Sequence, residues 1–189
     1  MEKTLKTYLI LAIICTLIFI SWGTIRIVKG ITFNLNCGAY LKRAAEANTV
    51  EIAKGELAKA LNYIEKENLT TGIVSIFLKN PTNDIGFWYN NLKAAHEELD
   101  NLSDETTPLE KTNVLMKLRE SLTDASDGST SVTIPEGISI YPQNMIYFIW
   151  GGLSLIGTCL FWTIVLIKAE IPLEVKSIEL TAKKAKTKA

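Results

Sequence analysis

Residues 145–167 read MIYFIWGGLSLIGTCLFWTIVLI, a run of 23 residues in which no side chain is charged. A helix rises about 1.5 Å per residue, so roughly 20 apolar residues cross the hydrocarbon core of a bilayer. A buried helix of a soluble protein rarely stays uncharged for about 18 residues or more. The run therefore predicts a transmembrane helix, and this prediction decides the fold class.

A second uncharged run occupies residues 8–25, YLILAIICTLIFISWGTI. Lys3 and Lys6 precede it, and small residues near its end would allow cleavage before Thr24, so a signal peptide is an alternative to a retained anchor. The run is longer than the apolar core of a usual signal peptide, which favours the anchor. In either case we expect the segment that follows to be exported.

The lysines that flank the two runs predict the orientation of the chain, because cytoplasmic segments carry the excess of Lys and Arg. The Lys-rich tail, residues 168–189, follows the second run, whereas no Lys or Arg lies between Arg119 and that run. We therefore expect residues 1–7 and the tail to be cytoplasmic. Residues 26–144 form the exported domain, with 30–144 extracytoplasmic, and the expected location is the bacterial inner membrane.

The first part of the exported segment carries helix signals. Asn36 is predicted to cap a helix that begins CGAYLKRAAEA, and Asn48 followed by Glu51 repeats the pattern of a cap with Glu three residues later. The region is predicted to form either two helices that meet near Asn48 or one helix with a kink there. Apolar residues at helical spacing then predict an amphipathic helix that ends around Asn68.

The clearest packing signal begins at residues 81–84, which are predicted to start a helix. Apolar residues then recur at alternating steps of three and four, at Ile85, Trp88, Leu92, Ala95, Leu99 and Leu102. Thr107, Pro108 and Glu110 predict the capped start of another helix that runs to about Leu122.

The remaining exported residues lack a helical period. Residues 72–80 form a short apolar run that is compatible with a buried helix or a strand. Residues 124–131 are predicted to be a polar loop, followed by an extended connector to the second span. The predicted fold is thus an all-α membrane protein, with two transmembrane helices flanking an extracytoplasmic helical bundle and a short extended connector before the second span.

Three residues of the helix predicted to start at residues 81–84 are candidate partner contacts: Phe87, Tyr89 and His96. Successive helix residues point about 100° apart, so Trp88 is predicted to be a core residue while Phe87 and Tyr89 flank it. We expect neighbouring segments to cover both flanks. His96 lies beside the apolar stripe, where a boundary histidine with a hydrogen bond is expected before a ligand role.

Small residues in the two runs are candidate transmembrane packing positions, because they allow close approach of helices. Ala12 and Thr16 share a face in the first run. Gly151, Ser154 and Thr158 share a face in the second. These faces are predicted to join either the two spans or two copies of the protein.

The residue inventory predicts no catalytic, cofactor-binding or metal site. His96 is the only histidine, which removes His-paired nucleophiles and multi-histidine metal sites within one copy. Of the three cysteines, Cys37 alone lies in the exported segment, so it either pairs with another copy or stays free. The balanced charge, with 20 basic and 20 acidic residues, gives no bias toward nucleic acid.

The layout of anchor, helical exported domain and second anchor resembles that of bacterial membrane sensors with four-helix ectodomains. The first hypothesis is a noncatalytic accessory or scaffold subunit whose exported domain binds another membrane or extracytoplasmic protein, or a second copy of itself, while its spans contact the lipid bilayer. The alternative is a small sensor whose helical domain binds a ligand and signals through a partner, because about 20 residues of tail are too few for a signalling domain.

Overall fold

The computed structural model describes residues 2–77, 79–103, 105–126 and 129–188, with the backbone alone at residues 2, 125–126, 129–130 and 170–188. This part of the chain is mostly helical. Its helices and strands are, in order, α1 (Glu2–Phe33), a π-helical segment (Asn34–Gly38), α2 (Ala39–Ala45), α3 (Val50–Lys66), a 3-10 turn (Pro81–Asn83), α4 (Ile85–Asp100), α5 (Pro108–Leu122), β1 (Thr123–Ser126), β2 (Ser129–Val132), a second 3-10 turn (Ile138–Ile140) and α6 (Asn144–Lys188).

The chain divides into two compact units. The first, here called the helix pair, consists of residues 1–25 and 146–189, and the second, the helical domain, consists of Arg26–Met145. Two helical stretches are long and apolar enough to cross a membrane, and they lie in Lys3–Ala45 and Asn144–Ala169. The predominance of helix and the two apolar helices agree with the sequence prediction.

The predicted helix start at Asn36 is wrong. Helical backbone continues from α1 through the π-helical segment into α2, so there is no free helix end for Asn36 to cap. Its amide nitrogen instead donates to the carbonyl oxygen of Thr32 at 2.8 Å. The break predicted near Asn48 is present, because α2 ends at Ala45 and the side chain of Thr49 caps α3 by accepting from the backbone N–H of Ile52.

α3 ends in a hydrogen-bonded cap. Asn68 has a φ of 57°, in the left-handed region that Asn tolerates, and its N–H donates to the carbonyl of Glu65. The N–H of Leu69 donates back to the carbonyl of Ile64, which completes a Schellman motif with both apolar residues buried. The polar turn at this point therefore stops the helix and directs the chain back toward the core.

α4 and α5 follow the sequence prediction closely. Asp84 caps α4 by accepting from the N–H of Phe87, and α5 begins with the predicted capping box between Thr107 and Glu110. The predicted stripe of α4 lies inward, with Ile85, Trp88, Leu92 and Leu99 buried and Ala95 and Leu102 half-buried. These residues pack with the buried faces of α2, α3 and α5 to form the core of the helical domain.

Two predictions of loops are corrected. Thr123–Ser126 and Ser129–Val132 form an antiparallel pair of strands in which Thr123 pairs with Val132, so the domain is not entirely helical. The connector before α6 contains a 3-10 turn at Ile138–Ile140, and Ile138 and Ile140 are buried. The connector is therefore part of the core rather than a free extended segment.

Residues 72–80 contribute neither a helix nor a strand to the described part, only an isolated bridge from Ile73 to Asp84.

Candidate functional site

The aromatic residues at the start of α4, Phe87, Trp88 and Tyr89, differ in how deeply they are buried. Trp88 is buried, with 7% of its surface exposed, and its indole N–H donates to the carbonyl oxygen of Thr133 at 2.9 Å. Phe87 is 65% exposed. The expectation that neighbouring segments cover Phe87 is therefore wrong. Successive side chains of a helix point about 100° apart, so the orientation of α4 that buries Trp88 leaves Phe87 facing outward.

Tyr89 is half-buried on the other side of Trp88. Its hydroxyl donates to the Glu65 carboxylate on α3 at 2.8 Å. This hydrogen bond to a carboxylate raises the pKa of Tyr89, because the protonated phenol is the form that donates. The contact orients the ring along the α3–α4 boundary, so Tyr89 joins two helices and presents only part of its ring outward.

His96 also lies between α3 and α4. Its Nδ1 is 3.0 Å from a carboxylate oxygen of Asp100, and Asp100 also pairs with Lys54 of α3. The hydrogen bond from Lys54 holds the pKa of Asp100 below its ordinary value. The Nε2 atom of His96 is buried and has no hydrogen-bond partner among the described residues. A partner contact at His96 stays a prediction.

A cavity of about 430 Å³ opens beside Phe87, between α4, the end of α5 and the segment after β2. Trp88, Leu92 and Leu122 supply buried apolar side chains to its wall, while Phe87 lies at the surface. Its other lining residues are Pro81, Thr82, Asp84, Asn91, Ser121, Thr133 and Pro135. The cavity is thus an apolar depression with short polar side chains around it.

A second cavity of about 300 Å³ continues along the same two helices, and it shares Asn91 and Ser121 with the first. α4 and α5 run antiparallel here, so the shared pair places the two cavities end to end. At the far end of the second cavity, Lys117 of α5 reaches Glu98 of α4 at 2.8 Å, and both residues line that cavity. Together the two cavities form one elongated depression, which we name the α4–α5 groove.

At its other end the groove opens into a polar depression. A third cavity, of about 470 Å³, shares Thr82 and Thr133 with the first and includes the carboxylates of Asp124 and Glu136 among its lining residues. The groove therefore leads from an ion pair at one end, past apolar walls in the middle, to a depression that bears carboxylates at the other.

The predicted packing residues lie in the helix pair as follows. Ala12, Gly151 and Ser154 are buried, and Thr16 and Thr158 are half-buried. The Thr16 hydroxyl accepts a hydrogen bond from the Trp162 indole at 3.0 Å. Across the pair, an added β-carbon on Gly151 would stand only 2.5 Å from a ring carbon of Trp22. A residue of each predicted face thus lies against a tryptophan of the other helix within one chain, and direct packing of the two faces stays a prediction.

Cys37 is fully buried in the core of the helical domain. Burial raises the pKa of its thiol to about 12 from the ordinary value of 9.0, because the apolar surroundings disfavour the thiolate. A disulfide between copies would need this thiol at the surface, so the burial of Cys37 favours the alternative of a free thiol.

Sequence reasoning missed the α4–α5 groove itself. Its walls come from residues distant in sequence, such as Pro81, Leu122 and Pro135, and no local period marks their meeting. The one available signal was Phe87, an aromatic residue off the apolar stripe. Within the described ranges, no group of three or more His, Cys, Asp or Glu side chains is arranged to hold a metal ion.

Comparisons with protein-family models, with curated proteins and with solved structures found no match to this chain.

Proposed function

We propose that this chain is a noncatalytic integral membrane protein whose helical domain lies outside the cytoplasm and binds a segment of another protein in the α4–α5 groove. It would serve as an accessory or scaffold subunit of a membrane complex. The observation that carries the proposal is the exposed Phe87 ring at an elongated apolar groove, with two cavities joined end to end at Asn91 and Ser121.

The aromatic residues of the helix pair support membrane insertion. Tyr8 and Trp22 are 14 residues apart, about 21 Å along a helix. The Tyr8 ring lies 6.5 Å from the ring of Phe161, and the Trp22 indole donates to the carbonyl of Tyr147 at 2.7 Å. Aromatic side chains thus cluster at both ends of the paired apolar runs, the distribution found at the two interfaces of a bilayer.

The positions of the lysines support the proposed orientation in the membrane. Lys168 lies 5.4 Å from the centre of the Tyr8 ring, so the tail and the N-terminus share one end of the helix pair. The excess of lysines after residue 167 favours the cytoplasm at that end, and residues 30–144 would then lie on the other side of the proposed bacterial inner membrane. A reporter domain that is active only in the cytoplasm should be active when fused to either terminus. Activity of a reporter that works only outside the cytoplasm would contradict this topology.

The shape of the groove favours a protein segment over a compact ligand. Between Asp84 and Glu98, α4 extends by about 21 Å along its axis, and the two joined cavities follow this length. An amphipathic helix or extended peptide lays several apolar side chains along such a depression. Exposed aromatic residues often anchor interfaces of this kind, so Phe87 is the expected anchor.

The charges at the two ends of the groove define the chemistry of the partner. Asp124 and Glu136 would favour a Lys or Arg at the hairpin end of the bound segment. At the opposite end, Lys117 and Glu98 form an ion pair that a polar residue of the partner can contact. The proposed partner segment is thus apolar in the middle and basic at one end.

The test is site-specific photocrosslinking in intact membranes, with a photoreactive residue placed at position 87 and, as a matched control, at position 109. Leu109 is 71% exposed on α5 and does not line the groove cavities. We expect one defined protein to crosslink at position 87 and not at 109, and its copurification to be lost in Phe87→Glu but kept in Leu109→Glu. Equal crosslinking at both positions, or a lone monomer after gentle extraction, would contradict the proposal.

The cavity next to Phe87 also supports the second candidate, a small sensor with a ligand-binding helical domain. At about 430 Å³ it lies within the range of small-molecule sites. If this candidate is correct, a small apolar compound should raise the unfolding temperature of the purified chain, and Leu92→Trp, which would fill the cavity, should abolish that shift. No protein should then crosslink at position 87.

A further inference from the structure

The part of α1 that belongs to the helical domain carries an apolar face that this domain does not cover. Ile27, Val28, Ile31 and Leu35 are 63%, 55%, 54% and 62% exposed. We name these four residues the α1 stripe. The opposite side of the same helical stretch points inward, since Phe33 and Cys37 are buried in the core.

The α1 stripe extends beyond the reach of lipid if α1 is membrane-inserted as proposed. Tyr8 and Leu35 are 27 residues apart, about 41 Å along a helix, whereas the hydrocarbon core is about 30 Å thick. Arg26 and Lys29 are the first cations after the apolar run, and cations mark the end of the hydrocarbon region. Ile31 and Leu35 follow them, so the hydrocarbon core would not cover their exposed surfaces, whereas a second protein surface would.

A different face of α1 already packs against α6 within one chain. Ala12 is fully buried in the helix pair, and the Trp22 ring lies against Gly151. Two copies of the protein therefore cannot meet through the small-residue face without taking the helix pair apart. The α1 stripe, in contrast, is exposed in the same chain.

We infer that the α1 stripe pairs with the α1 stripe of a second copy, in parallel and in register. Copies in one membrane share the same orientation and present the stripe at the same height, so a self-complementary pairing needs no other partner. The spacing supports it: Ile13, Leu17, Ile20, Thr24, Ile27 and Ile31 follow alternating steps of four and three, as in a parallel coiled-coil seam. This inference rests on the proposed membrane insertion and is independent of the α4–α5 groove.

Cysteine crosslinking of the full chain in native membranes tests the inference. The background carries Cys15→Ala and Cys159→Ala and keeps Cys37, which is buried. We expect a short thiol crosslinker to give several times more dimer with Ile31→Cys than with Thr32→Cys. Thr32 is the matched control because it is exposed on the same helix but points about 100° away from Ile31 and about 140° away from Ile27, the two stripe residues in the seam.

A second measurement uses charge. Ile31→Glu should convert the dimer to a monomer in gentle detergent, whereas Thr32→Glu should leave it intact, because only the first places two carboxylates inside the seam. Equal crosslinking at positions 31 and 32, or none at either, would overturn the inference. So would a product joined to a protein of different mass. Resistance of the chain to alkaline carbonate extraction checks membrane insertion separately, so a failure of that premise can be told from a failure of the pairing.

Discussion

The indole N–H of Trp88 donates to the backbone carbonyl of Thr133 at 2.9 Å, which joins the first turn of α4 to the residue that follows β2. Trp88 also packs in the core beside residues of α2, α3 and α5. One side chain therefore holds a helix, a hairpin and the wall of the α4–α5 groove in a fixed arrangement. The groove depends on this arrangement, because Trp88 and Thr133 both line it.

Replacing Trp88 with Ala should lower the free energy of unfolding of the helical domain by about 3–5 kcal/mol, as for other buried large aromatics. Trp88→Phe keeps an aromatic ring but removes the hydrogen bond to Thr133, so it should cost less, with about 1–3 kcal/mol for the carbonyl left unpaired. The measurement is the temperature at which the detergent-solubilised chain loses protease resistance. An unchanged temperature in Trp88→Ala would refute the core assignment.

The capping box of α5 gives a second prediction. The Thr107 hydroxyl accepts from the N–H of Glu110 at 3.3 Å, and the Glu110 carboxylate accepts from the N–H of Thr107 at 3.0 Å. Thr107→Ala should destabilise the helical domain by about 1 kcal/mol, because one end of α5 loses its side-chain acceptor.

Thr112→Ala is the matched control for the capping prediction. Thr112 lies inside α5, where its hydroxyl only donates to the carbonyl of Pro108, and Ala is the better helix former there. We expect Thr112→Ala to leave stability unchanged or slightly raised in the same melting assay. Equal losses in the two variants would show that the capping box contributes nothing specific.

Local signals of this kind explain why much of the fold was predictable. The capping box at Thr107 and the apolar steps around Trp88 depend on residues within a few positions of each other, so the sequence contains the whole pattern. The hairpin was missed because its strands, TDAS and STSV, are mostly polar and lack the apolar alternation of a half-buried strand.

Long-range contacts explain the rest. Glu56 looks like a solvated helix residue, yet it is 5% exposed, and its carboxylate accepts from Arg43 at 3.0 Å and from Lys59 at 2.9 Å. Arg43 belongs to α2, so only the packed structure brings it to Glu56. The exposure of Phe87 was missed for the same reason. The step pattern identifies the buried side of a helix but does not say which segments cover its flanks.

The buried thiol of Cys37 predicts how stability changes with pH. Its pKa is about 12 in the folded domain, against an ordinary value of 9.0. Above about pH 9 the unfolded chain loses the thiol proton while the folded chain keeps it, so stability falls by up to about 1.4 kcal/mol per pH unit until the folded pKa is reached. Below about pH 9 this contribution is constant.

Comparison with Cys37→Ala isolates this effect, because the two proteins differ in this side chain alone. Melting temperatures at about pH 8 and about pH 10.5 should differ more for the natural chain than for Cys37→Ala. In native conditions Cys37 should also resist maleimide labelling until denaturant is added. Rapid labelling, or identical pH dependence in the two proteins, would show that Cys37 is accessible.

Two adjacent glycines of α6 should respond differently to an added methyl group. A β-carbon at Gly151 would stand 2.5 Å from a ring carbon of Trp22, so the indole must move and its hydrogen bond to the Tyr147 carbonyl is disturbed. At Gly152, a β-carbon meets no described atom within 4 Å. Gly151→Ala should therefore destabilise the helix pair by about 1–3 kcal/mol, as for other overpacked sites, whereas Gly152→Ala should be neutral or slightly stabilising. Unfolding of the two variants in the same detergent, followed by tryptophan fluorescence, measures the difference. Equal stability of the two variants would mean that Trp22 does not pack against Gly151.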